Sequence, residues 1–160
     1  MTTGCRGHPA GRIPAIVRPG VDGHPGGHLP PVTTLTLHAS GSVAPAEAWD
    51  RYLHPARWSS WAPQITGVVT DAERIAQGVT GRVRGPVGIT LPFLVDEVDE
   101  AARQWRWTVH AGPARLTLLH WVAPGADGGT TTGLRVRGPL PLVVGYAPAA
   151  LVALHGLVRS

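Results

Sequence analysis

The chain of 160 residues contains no lysine, and all fourteen of its cationic side chains are arginine. Skewed coding composition produces such a bias as readily as a function does, so it carries no binding information. There is one cysteine, Cys5, which excludes an internal disulfide and leads us to expect a reducing, cytoplasmic setting. No apolar h-region flanks it, which argues against a secretory signal or lipoprotein anchor. Charge is sparse at 15% of residues, against a usual quarter or so. The net charge is only +4, and past residue 31 eleven arginines face nine acids. That balance lacks the concentrated basic footprint of a nucleic-acid binder, and no nucleic-acid partner is expected. Catalytic signatures are missing too. There is no Gly-x-Ser-x-Gly elbow, no phosphate-binding glycine loop and no clustered His/Cys/Asp set, so neither a metal nor a cofactor is expected.

What is present falls into two parts. Residues 1–31 hold seven glycines and six prolines with few large apolar side chains; such a segment cannot offset its ordering entropy and reads as a disordered extension. His24 and His28 have i, i+4 spacing, but Pro25, Gly26 and Gly27 forbid the helix that would align them on a metal. Residues 32–160 read as one domain, long enough to bury roughly two thirds of its unfolded surface. Alternation of Leu35, Leu37 and Ala39 with polar neighbours predicts a first strand ending at Gly41. Pro45 suits the first position of a helix through Leu53, with Ala48, Trp49, Tyr52 and Leu53 as its apolar stripe. A helical turn over Pro55 to Trp61 follows, with Trp58 and Trp61 on one face. Short strands are then predicted at Ile65–Thr70, Arg74–Ala76, Val79–Arg84 and Ile89–Val98, and a later one at Thr130–Arg137.

Residues 103–122 carry the strongest pattern. Two runs of strict period-two alternation meet through Gly112-Pro113, which predicts a half-buried antiparallel hairpin with Trp105, Trp107, Val109, Leu116, Leu118, His120 and Val122 on its inner face. The same parity leaves Arg82 with Arg84, and Arg135 with Arg137, on an outer surface that reads chiefly as the solvated side of a sheet, with an anionic membrane or nucleic-acid surface as the alternative. Leu140 to Arg159 group their apolar residues helically, with Pro148 expected to kink or divide the helix. The charge-free run Gly138 to Val158 is long enough to cross a membrane, but Pro139, Pro141, Gly145, Pro148 and His155 oppose a span, and no transmembrane segment is expected.

Several short motifs keep the order and spacing of a known family. They are Pro45-Ala-Glu-Ala-Trp49, Arg57-Trp58-Ser-Ser-Trp61-Ala-Pro63, Trp105-Arg-Trp107, Leu116-Thr-Leu118-Leu-His120, Gly129-Thr130, Gly138-Pro139 and Tyr146-Ala-Pro148. From about Val32 to Arg159 the chain resembles the START, polyketide cyclase/dehydrase and lipid-transport superfamily. That resemblance implies an α+β helix-grip fold, in which a curved antiparallel sheet of about seven strands wraps a long carboxy-terminal helix, with two short helices after the first strand. It also implies a deep apolar cavity between sheet and helix, and binding of lipids or polyketides. A minority of the family catalyses cyclisation or dehydration.

On this reading the cavity is lined by Phe93, Trp105, Trp107, Leu118, His120, Val122, Leu134 and Tyr146, with Trp61 near its mouth. His120 has three readings: a core histidine bonded to a backbone carbonyl or to the Tyr146 hydroxyl, a ligand's hydrogen-bond partner, or a general acid/base. The corresponding functions are sequestration of a small hydrophobic or aromatic ligand, a cyclase/dehydratase-type reaction at His120, and partner binding with a filled core. The carboxylates Asp96, Glu97, Asp99 and Glu100 read as a solvated strand end. The last helix is uncharged on its outer face as well, which points to a partner, a second copy or a membrane surface as its contact.

Overall fold

The computed structural model describes residues 30–160. The proposed disordered extension up to residue 29, with Cys5, His24 and His28, lies outside them. Strand β1 (Val32–Gly41) leads into helix α1 (Pro45–Leu53), and a single 3-10 turn connects that helix to α2 (Trp58–Trp61). Six strands follow: β2 (Gly67–Val69), β3 (Thr80–Arg84), β4 (Thr90–Asp99), β5 (Gln104–Ala111), β6 (Ala114–Pro124) and β7 (Thr130–Pro139). Helix α3 (Leu140–Leu157) closes the chain. All seven strands form one antiparallel sheet in the order β1-β7-β6-β5-β4-β3-β2.

The central hairpin has the predicted register, with Trp105 opposite His120, Trp107 opposite Leu118 and Val109 opposite Leu116. Every one of these side chains is buried, while Arg106, His110 and Arg115 are exposed. Period-two parity therefore survives as the inside and outside of the sheet. Each buried indole removes on the order of 200 Å² from water, worth about 5 kcal/mol before entropy is counted.

Helix α1 begins with Pro45 at its first turn and turns Ala48, Trp49, Tyr52 and Leu53 inward, the stripe its sequence predicts. Its other face carries Glu47, which pairs with Arg51 and with Arg57. Helix α3 packs against β1 and β7 through Val143, Ala150, Ala153, Leu154 and Leu157. By length and mean hydropathy (1.7) it could cross a membrane, yet its buried residues are spent on the sheet. Glycine lets it approach closely, because a Cβ on Gly156 would stand 2.2 Å from the Trp61 carbonyl oxygen.

Two local expectations change. Arg74–Ala76 is not a strand: the Ile75 amide donates to the Leu53 carbonyl at the end of α1 (2.8 Å), and its side chain is buried there as a plug. Pro148 does not divide α3, which runs through it. The residue removes the hydrogen bond to the Val144 carbonyl, and that carbonyl sits on an exposed turn where water can replace the donor.

Candidate functional site

The concave face holds two adjoining hollows. The inner one, of about 20 Å³, is lined by Trp58, Trp61, Gln64, Ile65, Trp105, Trp107, His120, Leu134 and Tyr146 together with three further residues of α3. It is small because aromatic rings fill the middle of the sheet. His120 stacks on Trp105 (centroids 4.8 Å, planes 12° apart), and Trp105 stacks on Trp107 at 5.2 Å. Trp58 covers both indoles at 5.5 and 5.3 Å. The space that remains suits one water or one ligand oxygen.

His120 is held by a directed chain of hydrogen bonds. The Thr132 hydroxyl donates to the Trp121 carbonyl (2.9 Å), so its oxygen can only accept from Tyr52 Oη at 2.9 Å. Tyr52 Oη must then accept from His120 Nδ1–H at 3.3 Å. This network assigns the Nδ1–H tautomer and leaves a bare lone pair on Nε2. The partner is thus Tyr52 rather than Tyr146 or a backbone carbonyl, because α1 lays its inward stripe across the hairpin. Burial lowers the His120 pKa from 6.5 to about 3 and raises both the Tyr52 and Tyr146 hydroxyls. At neutral pH the imidazole is uncharged and its open nitrogen accepts hydrogen bonds.

The walls of the inner hollow carry unusual polar capacity. Among the described residues, the buried Nε1–H groups of Trp61, Trp105 and Trp107, the Gln64 Oε1 and the His120 Nε2 have no hydrogen-bond partner. Each such group costs roughly 1–3 kcal/mol if nothing bonds it. These groups belong to residues that line the hollow, and an oxygen or a hydroxyl can partner such groups where hydrocarbon cannot.

The outer hollow, of about 210 Å³, lies under the β3–β4 turn and opens to solvent. Its walls are Ile65, Val83, Pro86, Ile89, Leu91, Trp107, Val109, Leu116, Leu118 and Tyr146, with Arg84, Gly85 and Gln64 at the margins. The two hollows share Gln64, Ile65, Trp107 and Tyr146. A third, larger groove of about 830 Å³ at the opposite end is lined by Ser40, Ser42, Arg51, Arg57, Ser59, Ser60 and the end of α3. It is open, and its best cations are engaged. Arg51 donates to the Leu157 and Arg159 carbonyls, and Arg57 pairs with Asp50 and Glu47. Two of the three arginines that line it are thereby engaged.

Of the residues expected to line a cavity, Trp61, Trp105, Trp107, His120, Leu134 and Tyr146 meet at the inner hollow, while Trp107, Leu118 and Tyr146 face the outer one. Phe93 and Val122 line neither. Phe93 is buried against Trp58 and Trp107, and Val122 fills the core near the far end of β6. Sequence reasoning left out Gln64, Ile65, Val83, Leu91, Val109 and Leu116. The last two share the hairpin's inward parity and were findable that way; Gln64 sits in coil after α2, where no periodicity marks it. Among the described residues no group of three or more His, Cys, Asp or Glu side chains could hold a metal.

No family model matches the chain, and no curated protein matches it. Its three-dimensional structure is similar to the crystal structure of Ara h 8.0201, with a TM-score of 0.61 and 17% identity over 80% of this chain and 98% of that one. The likeness spans the curved seven-stranded sheet, the short helices after β1 and the closing helix. The chain has the helix-grip fold.

Proposed function

We propose that the chain binds a small apolar or aromatic molecule bearing one hydroxyl or carbonyl oxygen, with its body in the outer hollow and its oxygen toward the inner one. The observation that carries this reading is the junction of a 210 Å³ apolar space with a water-sized space whose walls hold unpartnered donors and acceptors. Engineered apolar cavities of about 150 Å³ take up benzene, so a one- or two-ring compound or a short alkyl chain fits. Lipids with long acyl chains exceed this space. An enzyme of the cyclase/dehydratase type is the second reading, with His120 as its base. A pKa near 3 makes that imidazole a weak base at neutral pH, and no carboxylate lies among the residues that line either hollow. Non-catalytic binding is therefore favoured, and with it a cytoplasmic role, in keeping with the single cysteine.

Titration of tryptophan fluorescence with 2-naphthol tests the assignment, since Trp107 faces the proposed guest. Saturable quenching is expected, and Leu91→Trp, which fills the outer hollow from a half-buried wall position, should weaken it by at least about tenfold. Equal quenching in wild type and Leu91→Trp would place the guest elsewhere. No saturable quenching by 2-naphthol, benzyl alcohol or octanol would favour the filled-core reading.

A further inference from the structure

Strand register leaves one rim of this protein with arginines and, among the described residues, no carboxylate. The first rim collects the start of β1, the β3–β4 and β5–β6 turns and the β7–α3 junction, because Val32 pairs with Pro139, Ala111 with Ala114 and Arg84 with Thr90. The outer hollow opens here. Arg84, Arg115 and Arg137 stand within two residues of the strand ends at this rim, and Arg82 and Arg135 follow behind them on the same outer face. All five are exposed, and among the described residues none is in ion-pair contact with a carboxylate.

Carboxylates gather at the other end. Asp71, Glu73, Asp127 and Glu100 occupy the opposite connections, Asp96, Glu97 and Asp99 the far half of β4, and Glu47 and Asp50 helix α1. Every ion pair among the described residues is made there. The first rim also concentrates exposed apolar side chains. Val87, 96% exposed, and Ile89 project from the β3–β4 turn, Val32 begins β1, and Leu140 and Val144 occupy the first turns of α3. Val87 holds a left-handed backbone (φ 53°), a conformation that costs a β-branched residue energy and that nothing in the core requires.

Unpaired arginines behind a fringe of projecting valine, isoleucine and leucine match one kind of surface: anionic headgroups above an acyl layer. Duplex nucleic acid would satisfy the arginines but leave the apolar fringe wet. We propose that this rim docks on anionic lipid bilayers, so that the mouth of the outer hollow faces the membrane. The docking does not depend on what fills the hollow, and vesicle binding and fluorescence titration fail separately.

Co-sedimentation of the full chain with vesicles of phosphatidylcholine alone and with about a third phosphatidylserine tests it. Binding is expected only with the anionic vesicles, weakening as salt is raised. The combined variant R82Q/R115Q/R137Q should lose about a hundredfold in affinity, at about a fivefold factor per arginine. Val87→Asp should also weaken binding, whereas Val152→Asp, at the far half of α3, should not. Circular dichroism confirms that these surface variants are folded. Equal binding to neutral vesicles, no binding to either, insensitivity to the rim variants, or a loss in Val152→Asp as large as in Val87→Asp would each overturn the proposal. So would tighter binding to a DNA duplex that is indifferent to Val87→Asp.

Discussion

The two hollows lie on one face of one sheet and share four wall residues, yet they are built on opposite terms. In the inner chamber, rings crowd until only about 20 Å³ remains, and the walls keep polar atoms without partners. In the outer one, aliphatic side chains from β3, β4, β5 and β6 leave about 210 Å³ of oily space open to solvent. The difference comes from side-chain size at fixed backbone geometry. Where β5 and β6 carry Trp105, Trp107 and His120 the face is filled, and where they carry Val109 and Leu116 it is hollow. A concave sheet therefore does not decide how much it encloses; the order of large and small inward residues along each strand does.

The sharpest way to break this contrast is Trp105→Ala. Removing the ring that stacks on both His120 and Trp107 should cost about 3–5 kcal/mol of stability by chemical denaturation, and should join the hollows so that larger aromatics bind. A loss below about 1 kcal/mol would mean the rings are not close-packed.

Acid gives the next largest effect. The folded chain keeps His120 neutral down to about pH 3, while the unfolded chain protonates it near 6.5. The unfolded state thus holds more protons between those values. The stability this histidine contributes is intact above pH 6.5 and falls with pH by about 1.4 kcal/mol per unit. Urea unfolding at pH 6.5 and 4.5 should show wild type losing about 2 kcal/mol more than His120→Leu. Equal losses would show an imidazole that water reaches. The smallest effect belongs to the outer mouth, where Val87→Gly should raise stability by about 0.5 kcal/mol through relief of the left-handed backbone. A fall in melting temperature would mean that the turn depends on the valine side chain.

Most of the fold was legible because its signals are local. Alternation in residues 103–122 placed the hairpin's faces, and Pro45 with its stripe placed α1. Ile75 misled because three residues of alternation cannot distinguish a strand from a plug, and its amide partner, Leu53, lies more than twenty positions away. The inner wall was readable through Trp105, Trp107 and His120, whereas Gln64 has no pattern to betray it. Phe93 shared the inward parity but met Trp58 and Trp107 instead of space. Inwardness follows from period, but emptiness depends on what arrives from other strands. The grouping of five arginines at a rim without acids was equally hidden, since it exists only once the register is known.

Pro148 gives α3 two unequal halves. Behind it Ala150, Ala153, Leu154 and Leu157 are clamped in the core, and ahead of it Val143 alone is fully buried. The backbone bond that would tie the halves together is the one proline cannot make. The first half carries Tyr146, a wall residue of both hollows, and rests on one fully buried valine, so the less firmly packed part of the helix is the part that borders both spaces.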